Sequence, residues 1–559
     1  MKRREFLQVG VAAVPALFSF PNIITPRNVK STRILFKGGL LFDGLGSPPV
    51  EADVLVEDDR IHSFGPDLDA GDAFIFPIKG MAIAPGFIDI HGHTDLSLLV
   101  DSRAVSKVHQ GVTTEVVGQD GDSMGPLRED VFEELRDAYM NQYGVVIDFR
   151  YLPEFFSRIE QSGTSMNLAS MVGAGTIRQF VVGDEDREAT PREMEEMRAM
   201  VRAALASGAC GLSSGLEYLP GAFASADELI ALASELRGSG LPYATHMRNE
   251  DDRGLGAIEE ALHIGRMADV PVQLSHLKAL GQRNWWKAPI ALEMIDSVHA
   301  EGRDVTADRY PYVAYSTTLA ALFPVWVREG GAEAFIARLS DPDQEPRIKE
   351  AVASKIARLG DWNAAQITMT VDPALSWANG RRLGDLSAER NEPPYQVLRN
   401  LIIGDRSRTG MVGFGMSEEN TVLILSHPST MICSDGGARA PSGPLAKGSP
   451  HPRCYGTFPR VLGRYVRELH AFSLETAIRK MTSMPADRIG LNGRGRIEPG
   501  AFADLVVFDP DHVVDRATFE NPHQLPLGIP HVMVNGEFVV RNGEHTSQTP
   551  GRIVRPSTP

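Results

Sequence analysis

Between about residue 84 and residue 435 the chain alternates short apolar runs with helical stretches, and this alternation restricts the possible folds more than any other feature. The runs are Gly86-Phe87-Ile88-Asp89-Ile90, Thr114-Glu115-Val116-Val117-Gly118, Asn167 to Gly173, Gly211-Leu212-Ser213-Ser214, Pro242-Tyr243-Ala244-Thr245-His246, Val272-Gln273-Leu274-Ser275-His276, Asp304 to Asp308 and Thr430 to Asp435. Helical stretches between them include Thr190 to Ser207, Asp227 to Arg237 and Leu255 to Met267. Strands this apolar keep no wet face, and strands separated by helices pair in parallel. About eight such units close most economically into an α/β fold of the (β/α)8 kind, a TIM barrel.

The two ends of the chain read differently. From about 31 to 80, and again from 491 to 545, short alternating strands dominate, including Ala503 to Asp509 and a hairpin whose centre, Asn535-Gly536, suits a type I′ turn. Both ends are therefore expected to build one small β-sandwich domain beside a barrel of residues 81–490, with a tail at 546–559. Residues about 327–426 break the alternation and are rich in charge, which predicts an insertion over the barrel mouth. At the start, Arg3-Arg4 precede an apolar segment from Val9 to Phe18, the pattern of a twin-arginine export signal over residues 1–30. That segment falls well short of the ~20 residues of a membrane span, so it predicts a periplasmic or secreted protein without a stable membrane anchor.

Barrel enzymes keep their chemistry at the C-terminal ends of the strands. Here the first strand ends in His91-Gly92-His93, whose alternation puts both imidazoles on one face. The next ends near Asp120, and later ones at His246, His276 and Asp435. A lone histidine at a strand end is ordinarily a structural residue. Four histidines and two aspartates at five strand ends of one barrel need a common purpose, because an uncompensated buried polar group costs a few kcal/mol. A divalent metal site supplies it.

Composition removes other classes. A formal charge of −16 over 559 residues argues against nucleic acid or an anionic membrane as partner. Cys210, Cys433 and Cys454 are the only cysteines and lack metal-ligand spacing, so neither a disulfide framework nor a thiolate cluster is expected. His109, His263, His299 and His427 fall in helical or insertion segments and carry no assigned chemistry. Trp285 and Trp286 are expected to pack in the core.

The motifs Gly86-Phe87-Ile88-Asp89 with His91-Gly92-His93, Gly111-Val112-Thr113-Thr114, Gly211 to Leu216, Thr245-His246-Met247-Arg248, Leu274 to Lys278, Ser434-Asp435-Gly436 and Gly500 to Val506 together resemble the amidohydrolase superfamily, and more narrowly its N-acyl-D-amino-acid deacylase (D-aminoacylase) branch. The resemblance spans nearly all of the chain beyond the export segment. It implies a metal-dependent hydrolase that cleaves N-acyl-D-amino acids into a carboxylate and a D-amino acid, with no nucleic acid involved. By motif, His91 and His93 would bind one ion and His246 and His276 a second, with Asp435 beside the metal as catalytic acid/base. One or two ions, zinc foremost, are the implied cofactor. D-aminoacylases carry a cysteine where this chain has Asp120. A carboxylate oxygen is harder than a thiolate sulfur, which weakens the preference for zinc over manganese or iron. With no lysine at a strand end to form the bridging carbamate of some superfamily members, Asp120 is the candidate bridge. Residues at the motifs of Tyr218, Lys278, Ser316 and Arg453 would hold the substrate carboxylate. The alternatives are a dihydropyrimidinase-like cyclic amidase, a dipeptidase acting on D-residues, or a catalytically silent binding barrel.

Overall fold

Eight parallel strands form the ring that the alternation predicts. In the computed structural model, which describes residues 32–557, they are β1 (Phe87–Asp89), β2 (Val112–Val117), β3 (Asn167–Ser170, continued by Val172–Gly173), β4 (Leu212–Gly215), β5 (Tyr243–His246), β6 (Val272–Leu274), β7 (Val305–Arg309) and β8 (Thr430–Ile432). The twin-arginine segment, residues 1–30, lies outside the described residues. Each strand pairs in parallel with the next, β1 to β2 to β3 and then β3 through to β8. The ring closes at a parallel bridge between Gly92 and Gly436, supported by Asp435 N donating to His91 O at 2.8 Å. The last strand thus meets the first just beyond their C-terminal ends, and that is where His91, His93 and Asp435 sit.

Local sequence explains the helices between strands. Thr190 caps the helix Pro191–Ala206 by a reciprocal pair of bonds: Thr190 Oγ1 accepts from Glu193 N at 3.3 Å, and Glu193 Oε2 accepts from Thr190 N at 2.7 Å. The helix Gly254–Ala268 turns Ala257, Ile258, Ala261, Leu262 and Ile264 inward, an i, i+3, i+4 stripe.

Both chain ends contribute to a β-sandwich domain. Their strands hydrogen-bond into a nine-stranded sheet in which Ala82–Pro85 pairs antiparallel with Leu505–Phe508. Phe36, Val54, Ile61, Ile83, Leu505 and Met533 form its core. The Asn535-Gly536 turn has φ of 47° and 83°, positive at both central positions as a type I′ hairpin requires. The domain is tied to the base of the barrel through buried polar groups. Asp504 accepts from Asn535 N at 2.8 Å and from Asn167 Nδ2 at 3.2 Å, and pairs with Arg494.

The excursion over the mouth differs in extent from the expected 327–426. It begins with the strand Ala314–Thr318 and ends with Gly410–Phe414, which with Ala365–Met369 make a three-stranded antiparallel sheet. Helices between these strands give it a core of its own around Phe323, Phe335, Ile348 and Leu398. The helix Glu418–Ser426 belongs to the barrel: Leu425 joins the main barrel core and Ile424 packs with the helix Lys287–Ala300. Trp286 is mostly exposed rather than packed, while Trp285 Nε1 donates to Gly415 O at 3.1 Å.

Candidate metal centre

Two clusters of potential ligands lie at the C-terminal rim, and they share one residue. His91, His93, Asp120 and Asp435 form the first, and Asp120, His246 and His276 the second; within each, the candidate ligand atoms lie within 4.8 Å of one another. Asp120 Oδ1 stands 3.5 Å from His91 Nε2 and 3.4 Å from His276 Nε2, while Oδ2 stands 3.7 Å from His93 Nε2 and 3.9 Å from His246 Nδ1. Its carboxylate therefore faces both halves of the site. Gly118 (φ 73°) lets the chain turn out of β2 towards Asp120, because a Cβ there would strike the Met171 carbonyl. Asp120, His276 and Asp435 themselves adopt positive φ (54°, 36° and 49°), a conformation that costs a non-glycine residue roughly 1–3 kcal/mol and persists where the surroundings enforce it.

The donor set fits a divalent cation. Both ring nitrogens of His91, Asp120 Oδ1 and His246 Nε2 are buried without a hydrogen-bond partner among the described residues. Left so, each costs about 1–3 kcal/mol, and imidazole with carboxylate is the ligand chemistry that suits zinc and its neighbours. The electrostatics agree. Burial pulls His91 down, but the Asp120 and Asp308 carboxylates raise it well above its usual value. Burial pushes Asp120 up, but His91 and His276 hold it well below the carboxylate range. The cluster attracts positive charge.

Around this centre a second set of residues fixes its geometry. Asp308 at the end of β7 accepts from His276 N at 2.8 Å and from Gln273 Nε2 at 2.7 Å, and lies 3.3 Å from His91 Nδ1. Glu250 lies 3.1 Å from His276 Nδ1 and pairs with Lys278. Beneath Asp435, Lys107 is fully buried and donates to Asp89 Oδ2 (2.7 Å), Ser434 Oγ (2.8 Å) and the Gly436 carbonyl (2.6 Å). Glu115, 3.2 Å from Lys107, accepts from Thr94 N at 3.1 Å. These bonds clamp the residues on either side of Asp435 and the one after His93.

A cavity of about 570 Å³ opens over the cluster, lined by His93, Asp120, His246, His276 and Asp435 and also by Tyr218, Lys278, Ser316 and Arg453. His91 lies behind this lining, fully buried. The Tyr218 ring packs 4.7 Å from that of His246, and its hydroxyl lies 3.2 Å from Thr317 Oγ1. Ser316 Oγ donates to Met411 O at 3.2 Å within the excursion sheet. Arg453 Nη1 donates to Asp435 Oδ2 at 2.7 Å, and the guanidinium lies 4.7 Å from the Tyr310 ring. Lys278, nominated for a carboxylate, has its ammonium engaged by Glu250 and lies 2.6 Å from His276 Nδ1.

A model described as "Amidohydrolase family" matches residues 443–540. The D-aminoacylase of Alcaligenes xylosoxydans xylosoxydans is 37% identical over 93% of this chain and 97% of its own. The N-acyl-D-aspartate deacylase of the same organism is 36% identical over 93% and 95%. This chain belongs to the N-acyl-D-amino-acid deacylase branch of the amidohydrolases. The solved N-acyl-D-glutamate deacylase of Bordetella bronchiseptica, complexed with zinc and a phosphonate inhibitor, is 33% identical and superposes with a TM-score of 0.78 over 93% of this chain and 99% of that one. As a member of that branch, the chain is a hydrolase of carbon–nitrogen bonds other than peptide bonds. Sequence reasoning passed over Asp308, Glu250 and Lys107. Asp308 was within reach of the strand-end rule, since it is the next-to-last residue of β7. Glu250 and Lys107 carry no such signal, because one sits in a polar loop and the other in a helix of four residues, Val105–Val108.

Proposed function

We propose that the chain hydrolyses the amide bond of N-acyl-D-amino acids, releasing a carboxylate and a D-amino acid. The observation that carries this reading is the convergence of Asp435, Arg453 and the two ligand clusters on one cavity. His91, His93, Asp120 and Asp435 would hold one ion and Asp120, His246 and His276 a second, with zinc the favoured metal. A divalent cation there supplies Lewis acidity towards the amide carbonyl and lowers the pKa of water from 15.7 to about 7.

The chain's own residues do the rest. Asp435 Oδ1 lies 3.0 Å from His93 Nε2 and Oδ2 2.7 Å from Arg453 Nη1. Burial pushes its carboxyl up, but the Arg453 guanidinium and the imidazoles hold it well below the usual range. Asp435 is thus ionised at neutral pH and begins as a proton acceptor. Having taken a proton from water, it returns that proton to the departing nitrogen, without which the amine cannot leave. Arg453 offers a planar fork for the substrate's carboxylate, with Tyr218, Ser316 and Lys278 on the same wall. A carboxylate that draws Arg453 away removes Asp435's nearest counter-charge and raises its proton affinity as the reaction begins.

Side-by-side assay of N-acetyl-D-amino acids, their L-forms and dihydrouracil tests the reading. Turnover of only the cyclic compound would reject it, as would full activity after exhaustive chelation. Asp435→Asn is expected to lower kcat by roughly 10²–10⁴-fold in protein that remains folded; full activity would remove the acid/base role. Export is proposed on Arg3-Arg4 and the apolar segment after them. Replacing both arginines with lysine should then retain the protein in the cytoplasm, as fractionation would show.

A further inference from the structure

Arg453 belongs to the barrel and Ser316 to the excursion, 137 positions apart, yet both line the cavity. One buried side chain ties the two together. His451, 1% exposed, lies between the helix Arg453–Arg460 and the excursion strand Ala314–Thr318. The first amides of a helix have no acceptor within it. His451 supplies two: its Nδ1 accepts from Arg453 N at 3.0 Å, and its carbonyl accepts from Cys454 N at 3.1 Å. An accepting Nδ1 puts the ring proton on Nε2, which donates to the Ala314 carbonyl at 2.9 Å. Burial, with the Arg453 cation beside it, holds the ring well below its usual pKa, so it stays neutral. The rings of Tyr312 and Phe519 pack edge to face with it, at centroid distances of 5.1 and 5.0 Å.

Arg453 is thereby held to the excursion strand twice. Its main chain is tied to Ala314 through His451, and its Nη2 donates at 3.4 Å to the carbonyl of Ser316, two residues further along the same strand. We propose that His451 is a positioning residue, which fixes Arg453 against Ser316 so that guanidinium and hydroxyl stand in register for one substrate carboxylate. This rests on the deacylase reading and on Arg453 taking the α-carboxylate. With both ring nitrogens bonded to main chain, His451 has none left for substrate and acts through Arg453. A clamp already in register before substrate arrives has less conformational freedom to lose on binding.

Two substitutions separate the tether from the helix cap. His451→Asn keeps an acceptor for Arg453 N, since an Asn side chain bonds the amide two residues on, but it falls short of Ala314. His451→Gln keeps a donor at the reach of Nε2. The metal-loaded proteins are assayed with the N-acetyl-D-amino acid that the wild type turns over best. His451→Asn is expected to raise KM by about tenfold, the effect of an unmet buried acceptor, with kcat within about threefold, because a carboxylate contact serves bound substrate and transition state alike. His451→Gln should restore most of the loss. Phe519→Ala, which loosens the ring from a half-buried side, should raise KM in the same direction and takes the place of His451→Asn if that variant does not fold. A wild-type KM in His451→Asn, or in Phe519→Ala where it stands in, would overturn the inference and leave the deacylase reading intact. So would a loss of kcat shared by both substitutions at 451 in step with melting temperature, the mark of a merely structural role. Absence of turnover of any N-acetyl-D-amino acid by the wild type would refute the deacylase reading, and the inference with it.

Discussion

Asp120 is the residue on which both halves of the metal centre depend. Its two oxygens face four imidazoles at 3.4–3.9 Å. Asp120→Ala should therefore lower metal content more than His91→Ala or His246→Ala, each of which strips only one cluster, and elemental analysis of the purified variants measures this. Lys107 makes a different prediction. It is fully buried between Asp89 and Glu115, whose carboxylates would lose their counter-charge in Lys107→Met. Removing one partner of a buried ion pair costs about 3–5 kcal/mol, to be read as a fall in the free energy of denaturant unfolding. The gathering of the nominated residues at one rim was legible because strand alternation and strand ends expose them to inspection. Glu250 was not singled out, because what marks it is its approach to His276, which exists only after folding, whereas Asp308 sits at a strand end like the nominated residues and was passed over all the same.

At the scale of elements, the sequence revealed strands and helices better than it revealed where the excursion begins and ends. Ala314–Thr318 falls before the expected start of the insertion at about 327, yet it pairs with Gly410–Phe414 outside the ring. Glu418–Ser426 opens with two glutamates and so resembles the charged stretch before it, although its buried Thr421, Ile424 and Leu425 face the barrel. The sandwich strand His531–Val534 carries a pH response. Burial, with Arg541 nearby, lowers His531 from 6.5 to about 4, and its Nδ1 accepts from Asn542 N at 3.2 Å, which requires the neutral ring. The unfolded chain therefore binds the proton more readily between those values, so His531 contributes stability that is complete above pH 6.5 and is lost as pH falls towards 4. Half-exposure of the ring reduces the effect below the full linkage value. His531→Gln should flatten the acid side of the melting-temperature profile, and an unchanged slope would contradict the assignment.

The whole molecule is held together where the sandwich meets the barrel floor. Asp504 receives Asn535 N, Asn167 Nδ2 and Arg494, joining a hairpin near the C-terminus to the start of β3. Asp504→Ala should cost about 3–5 kcal/mol by leaving Arg494 buried and unpaired. The loss should appear in unfolding, while the kcat of the protein that remains folded stays near wild type, since no residue of the cavity is touched. A kcat that fell in step with stability would show that the two domains share the work of the site.

His93 and Asp435, 342 positions apart in sequence, meet only at the joint where the ring shuts. A chain that has not yet brought β8 round to β1 owns most of its imidazoles but lacks the carboxylate that would finish the pocket, and closing so long a loop carries an entropic cost that shorter contacts avoid. The carboxylate thus joins the imidazoles only where the ring shuts, and a polypeptide that stops before β8 lacks it by construction.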